Sequence, residues 1–220
     1  MTITAPAVSP VGTELLDDPA ADPAAVAESL RHIARANYWF GGRAAVRYGM
    51  AQLCERWRAD RPLTLVDVGT GLGDLPRDLV RWGEKRGLRV VPLGIERSRV
   101  AAGLAARHGV PMVVGCAGSL PLARHSVDVV LASQVAHHFS AAAAARFFVE
   151  LSRVARFGVV VADLRRSPLA ESLFRLGSRL LQFDESTRAD GVTSIRRGYT
   201  REELHALIRR SGRRAHVRRR

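Results

Sequence analysis

The residues best suited to chemistry begin in Leu65-Val-Asp-Val-Gly-Thr-Gly-Leu-Gly-Asp-Leu75, an apolar run with an acid near its end that passes into three alternating glycines. Glycine at 69, 71 and 73 lets the backbone take positive φ and come close to a ligand that a Cβ would push away. The run reads as a buried strand, a turn and a helix start, and that arrangement makes a cofactor pocket. Its spacing is G-x-G-x-G. The third glycine falls one residue early for the dinucleotide fingerprint, and no Gly-Lys-Ser/Thr follows as in a phosphate-cradling loop. A plain tight βα turn is the competing reading, and the segments that follow weigh against it by supplying further walls of a pocket.

The next apolar run, Arg89 to Ile95, ends on Glu96. A carboxylate can accept two hydrogen bonds from a vicinal diol, and such charge-assisted bonds are the stronger kind. The alternative is a surface acid paired with Arg97 or Arg99. Position favours the first reading, because ligands of open parallel sheets bind at the carboxyl ends of the strands. A later run ends in Ser133-Gln-Val-Ala-His137-His138-Phe139. A histidine beside a reacting hydroxyl can serve as general base. Packing against a cofactor, with a hydrogen bond to the backbone, is the equally weighted alternative.

The elements that must position these residues alternate. Apolar runs at 63–68, 89–95, 111–115, 126–132 and 157–162 predict five strands, and amphipathic patterns at 74–86, 98–108 and 141–154 predict helices between them. This rhythm predicts a doubly wound, mostly parallel α/β sheet. Residues 1–24, rich in Ala, Pro, Asp and Ser, predict a mobile leader. Residues 25–60 predict two helices divided by Gly41-Gly42, and 61–220 the main domain. Within it the rhythm changes at about 164–198, to a helix at 168–181, with Leu169, Leu173, Leu176 and Leu180 as its stripe, and a polar loop at 183–197. Thr200 and Glu203 form the capping box of a last helix.

Composition bounds the function. The 220 residues carry a formal charge of +13, which invites a nucleic-acid partner. Eight of the arginines lie in residues 201–220, and Lys85 is the sole lysine. An arginine-rich tail attracts any polyanion without specificity, so the charge argues little for nucleic acid. Cys54 and Cys116 match no metal or redox spacing and read as reduced thiols of a cytoplasmic protein. There is no signal-peptide pattern and no apolar run of membrane-spanning length.

With these strand ends in place, residues 62–212 resemble the class I S-adenosylmethionine (SAM)-dependent methyltransferases, particularly the small-molecule group related to quinone-biosynthesis and type 11 enzymes. The strongest motif is VDVGTGLGDLP at 66–76. The resemblance implies a Rossmann-like fold in which Gly69, Gly71 and Gly73 pass under the methionine and ribose of SAM, with Asp67 and Asp74 flanking them. Glu96 matches the acid for the ribose hydroxyls. Gly115-Cys-Ala-Gly-Ser-Leu-Pro-Leu122 matches the stretch beside the adenine, with Cys116 where an Asp commonly meets the adenine amine and Ala117 offering its backbone N–H. Ser133 joins the cofactor set, and His137 and His138 are the candidate bases; no metal is implied.

The resemblance also implies a small apolar phenolic, quinol or polyketide-like acceptor, methylated on O or C. It makes residues 25–60 a helical lid and about 164–198 a cap insertion; Tyr38, Trp39 and Phe40 of the lid are candidates to line the pocket or to dock the helices on the core, and Phe174, Phe183 and Arg196 of the cap are further candidates for the pocket. A homodimer is open. An RNA or protein methyltransferase remains an alternative, against which stands the absence of an N-P-P-Y-type signature after the fourth strand. A degenerate binding subunit is another, because Cys116 breaks the pattern. Relatives finish the sheet with an antiparallel hairpin, and Ala215-His-Val217 would start it shortly before Arg220, so the sequence predicts an incomplete hairpin.

Overall fold

A computed structural model describes residues 11–55, 57 and 60–211. The elements in chain order are α1 (Pro23–Trp39), α2 (Gly42–Cys54), β1 (Leu63–Val68), α3 (Asp74–Glu84), β2 (Val90–Glu96), α4 (Arg99–Arg107), β3 (Met112–Val114), β4 (Val127–Ser133), α5 (Ala141–Val154), β5 (Ala155–Ala162), α6 (Pro168–Leu180), α7 (Glu185–Arg197) and α8 (Arg201–Arg210). The five strands form one sheet in the order β3-β2-β1-β4-β5, and every pair in it is parallel. The Rossmann-like doubly wound sheet expected from the sequence is therefore present. The predicted closing hairpin at 215–217 lies outside the described residues.

Alternation along the strands divides the core into two layers, as the period of two requires. On one face Leu63, Leu65, Val129 and Leu131 meet Val46 and Met50 of α2 and Leu75, Leu79 and Trp82 of α3. On the other, Val66, Val68, Val130 and Ala132 meet Phe147, Phe148 and Leu151 of α5 and Leu207 of α8. Val26 and Leu30 of α1 form a smaller cluster with Ala101 of α4. That contact lays α1 against the helix that follows β2.

Two expectations need correction. The polar loop at 183–197 is the helix α7, started by Asp184, which accepts a hydrogen bond from the Thr187 N–H at 2.8 Å. Its apolar signal is thin because much of what it buries is polar: Thr187, Ser194 and Arg197 are buried beside Val192 and Ile195. The predicted mobile leader is, over residues 11–22, a strap packed on the domain, with a 3-10 turn at Leu15–Asp17. Arg197 holds it through the carbonyls of Val11 and Gly12. A buried histidine joins lid to cap, with His32 Nδ1 lying 2.8 Å from Asp184 and its ring stacked on Phe183 at 4.7 Å.

The amino-terminal edge of the sheet is fixed by Asp128, which is fully buried at the start of β4. It accepts from the Thr64 N–H at 3.0 Å, from the Thr64 hydroxyl at 2.8 Å, and from the guanidinium groups of Arg61 and Arg156. Burial opposes ionisation, but these donors win and hold the carboxyl well below the usual range. Stability from a depressed carboxyl is present above its unfolded value near 3.9 and is lost as pH falls from there toward the folded value. We expect Asp128→Asn to cost about 1–3 kcal/mol at neutral pH, the arginines being half-exposed and able to rehydrate. Urea unfolding at pH 7 and pH 3 should show the gap between variant and wild type shrinking in acid.

Candidate active site

The strand order reverses between β1 and β4, and the crevice at that reversal is built from their carboxyl ends. Gly69, Gly71 and Gly73 all have positive φ, at 73°, 56° and 74°. Gly69 also has no room for a side chain, since a Cβ there would lie 2.5 Å from Val135 Cγ2. The glycine turn and the segment after β4 therefore touch backbone to side chain. The Gly69 N–H donates to the Ile95 carbonyl at 2.8 Å, which joins the turn to the end of β2.

Three carboxylates gather on this turn. Glu96 accepts from the Gly71 N–H at 3.1 Å and from the backbone N–H groups of Arg97 and Ser98 at 2.7 and 3.1 Å. It thereby shapes the loop while its oxygens, with about four lone-pair sites, keep capacity for a diol. Asp67 is buried at the end of β1, and burial, then the charges of Asp74 and Glu96, push its carboxyl well above the ordinary range. Asp74 is also raised by burial, against a hydrogen bond from Asn37 and the charge of Arg43. The Asn37 amide donates to Asp74 at 3.2 Å, and its oxygen accepts from Gln134. One side chain of the lid thus bridges the glycine helix and the segment after β4.

Across the crevice, His137 and His138 lie in a 3-10 turn, Ala136–His138. His137 is buried, with Nδ1 2.6 Å from Asp163 at the end of β5, and its Nε2 has no hydrogen-bond partner. Burial disfavours the imidazolium, but the Asp163 charge and hydrogen bond outweigh it and raise the pKa. His138 is half-buried, with Nδ1 3.1 Å from Asp17 of the strap. Glu14 lies 3.9 Å from His137 Nε2 and 3.8 Å from His138 Nε2. These three residues have donor atoms within 4.8 Å of one another, a spacing that suits a divalent cation. Arg197, whose side chain is fully buried, already supplies positive charge there, 3.0 Å from Glu14 and 2.9 Å from Asp17.

Residues 66–163 match the family model of a methyltransferase domain. The chain has a Rossmann-like methyltransferase fold. Its fold is similar to the plantazolicin methyltransferase solved with S-adenosylhomocysteine (SAH), at 14% identity and TM-score 0.60, over 88% of this chain and 72% of that one. It is similar to magnesium protoporphyrin IX methyltransferase from Synechocystis PCC 6803, also solved with SAH, at 15% identity and TM-score 0.54, over 79% and 74%. A SAM-dependent methyltransferase from Thermotoga maritima matches at 20% identity and TM-score 0.50, over 83% and 78%. No curated protein sequence matches the chain. No helix among the described residues is long and apolar enough to cross a membrane.

Within this fold, Asp67, Gly69, Gly71, Gly73, Asp74 and Glu96 lie together at the carboxyl end of the sheet. Cys116 is buried in a bridge with Ser119, Ala117 is half-buried beside it, and Ser133 carries a buried hydroxyl without a partner. The aromatic lid residues are a correction: Tyr38, Trp39 and Phe40 face solvent, 59%, 63% and 43% exposed. Gly41, with φ of 89°, turns the chain directly after them. Arg196 is exposed and paired with Glu171, and Phe183 is buried on His32. The sequence reading passed over Glu14, Asn37, Asp163 and Arg197. Asp163 carries the same signal as Glu96, an acid closing an apolar strand; the others have no local signature.

The Gly69 contact predicts that Gly69→Ala lowers stability by about 1–3 kcal/mol, from the left-handed φ and the close approach to Val135. Adding Val135→Ala should recover the steric part and leave the conformational part. Thermal melts of the two variants and the single Val135→Ala control measure that split.

Proposed function

We propose that the crevice binds SAM and transfers its methyl group to oxygen or carbon of a small apolar acceptor of phenolic, quinol or polyketide-like type. The glycine turn lies under the methionine and ribose, Glu96 takes the ribose hydroxyls, and the Ala117 N–H meets the adenine edge. Cys116 replaces the usual acid there and offers only a weak S–H donor, so adenine recognition relies on backbone. Asp67 and Asp74 face the positively charged end of the ligand. Their raised pKa values support this placing, because buried carboxyls short of counter-charge are stabilised by a cationic ligand. Ser133, whose buried hydroxyl has no partner, stands at the carboxyl end of β4 and joins the cofactor set.

The observation that carries the reading is His137, buried and held by Asp163, with an unpaired Nε2. SAM, when bound, supplies an electrophilic methyl on a sulfonium. Asp163 fixes the ring and stabilises its imidazolium, and Nε2 takes the proton of the acceptor hydroxyl, or the ring proton after attack through carbon. His138 orders the strap through Asp17 and Glu14. The apolar acceptor is supported by α7, which covers the histidine turn with Val192 and Ile195 buried beside Arg197.

The raised His137 pKa fixes the sign of the pH dependence. The neutral base is required, so the rate should rise with pH through a midpoint above 6.5. His137→Asn should lower turnover about 10²–10⁴-fold while leaving SAM affinity unchanged. Asp163→Asn should lower turnover less and move the midpoint down. Transfer of labelled methyl from SAM to a panel of phenols and quinols, with calorimetry of SAM and SAH, measures all of these. Absence of binding to either cofactor form, or full turnover by His137→Asn, would overturn the proposal.

A further inference from the structure

Helix α6 turns its leucines away from the protein. Leu169, Leu173, Leu176 and Leu180 are 67%, 57%, 59% and 76% exposed, whereas Ser178 on another side of the helix is buried. The helix docks through Phe174, whose ring lies 5.6 Å from that of Phe40, and through Gly177, where a Cβ would come 2.6 Å from Phe40. Its attachment to the domain therefore uses small and aromatic residues, and the strongest apolar stripe is left over.

The geometry of the stripe selects its occupant. Spacings of four, three and four residues place the leucines at successive d and a positions of a heptad. At about 100° per residue they span only roughly 60° of the helix circumference, the narrow seam of a helix pair. A helix lying on a membrane presents a broad apolar face instead. The four positions are also symmetric about the midpoint between residues 174 and 175. A two-fold axis at that midpoint, perpendicular to the helix, sets Leu169 opposite Leu180 of the partner subunit and Leu173 opposite Leu176 of the partner subunit, the self-complementary pattern of an isologous contact. Ala170 and Ser172 flank the seam and let two helices approach closely.

The exposed area is that of an interaction site. The aromatic end of α1 adjoins α6 through Phe40, itself 43% exposed. With more than half of each leucine uncovered beside it, the patch is on the order of several hundred Å² on each copy, against the roughly 800 Å² that each partner of a standard interface buries.

We propose that α6 is the seam of a homodimer, pairing antiparallel with α6 of a second copy. The dimer would pin the cap from outside, since α6 leads into α7 and so into Arg197, which holds the strap. Light scattering of the full chain after gel filtration, at tens of micromolar, should give about twice the 24.0 kDa of one chain. The double variant Leu173→Glu/Leu176→Glu, both positions being exposed, should give one chain mass with unchanged circular dichroism and SAM affinity. As a check on register, a mixture of Leu173→Cys and Leu176→Cys chains should oxidise to a covalent dimer more readily than either chain alone. A monomeric wild type, a dimer that survives the double glutamate change, or a monomer that sediments with phosphatidylglycerol vesicles through these leucines would each overturn the assignment.

Discussion

The reversal of winding direction at β1 is the constraint on which the site depends. β2 and β3 lie on one side of β1, β4 and β5 on the other, so the connections leaving β1 and β4 part at their carboxyl ends and open a crevice. The two exits stay close, and only a residue without a Cβ fits at Gly69 against Val135. Strand ends and the first turn of α3 then bring Asp67, Asp74 and Glu96 to one place by topology alone. No equal set of cations comes with them. A buried carboxyl without a counter-charge tends to take up a proton rather than ionise, and a ligand that carries positive charge relieves that cost.

The two edges of the same sheet show opposite electrostatics with the same residue type. Asp128, at the amino-terminal edge, is surrounded by donors from Arg61, Arg156 and Thr64, and its carboxyl is depressed. Asp67, at the carboxyl edge, sits among other acids, and its carboxyl is raised. At Asp128 both carboxylate oxygens are satisfied by donors, which favours stability; at the carboxyl edge some polar atoms are not, which leaves capacity for a ligand. The partnerless Ser133 hydroxyl and His137 Nε2 fall on the second side of that division.

Much of this was legible in the residues. Continuous apolar runs and glycine spacing located the strands, the turn and its acids, because each signal is local and physically strict: Gly69, Gly71 and Gly73 all take the left-handed conformation expected of them. Glu96 was legible for the same reason, a charge where a buried strand emerges. The histidine turn was found, but not its partner Asp163, since pairing across β4 and β5 is set by sheet order and not by sequence distance. The strap and α7 were misread together. A segment that buries Arg197, Glu14 and Thr187 has the composition of a loop, and its order comes from ion pairs formed only after both parts fold onto the domain. The lid aromatics failed in the opposite way: the family resemblance marked them as pocket-lining, whereas the turn at Gly41 leaves them outside.

Arg197 gives the strap a direct bearing on the base. Its guanidinium is fully buried, joins Glu14 and Asp17, and closes on the carbonyls of Val11 and Gly12, so the strap is held by one side chain of the cap. Glu14, held in this way, stands 3.9 Å from His137 Nε2. An acceptor oxygen that reaches Nε2 has to enter where Glu14 now stands. Removing the strap would also leave Arg197 buried without its two carboxylates, a state more costly than the paired one. Glu14 stands against Nε2 in this arrangement, so on the role proposed for His137 the reach of an acceptor to that nitrogen depends on the pairing of Arg197 with the strap.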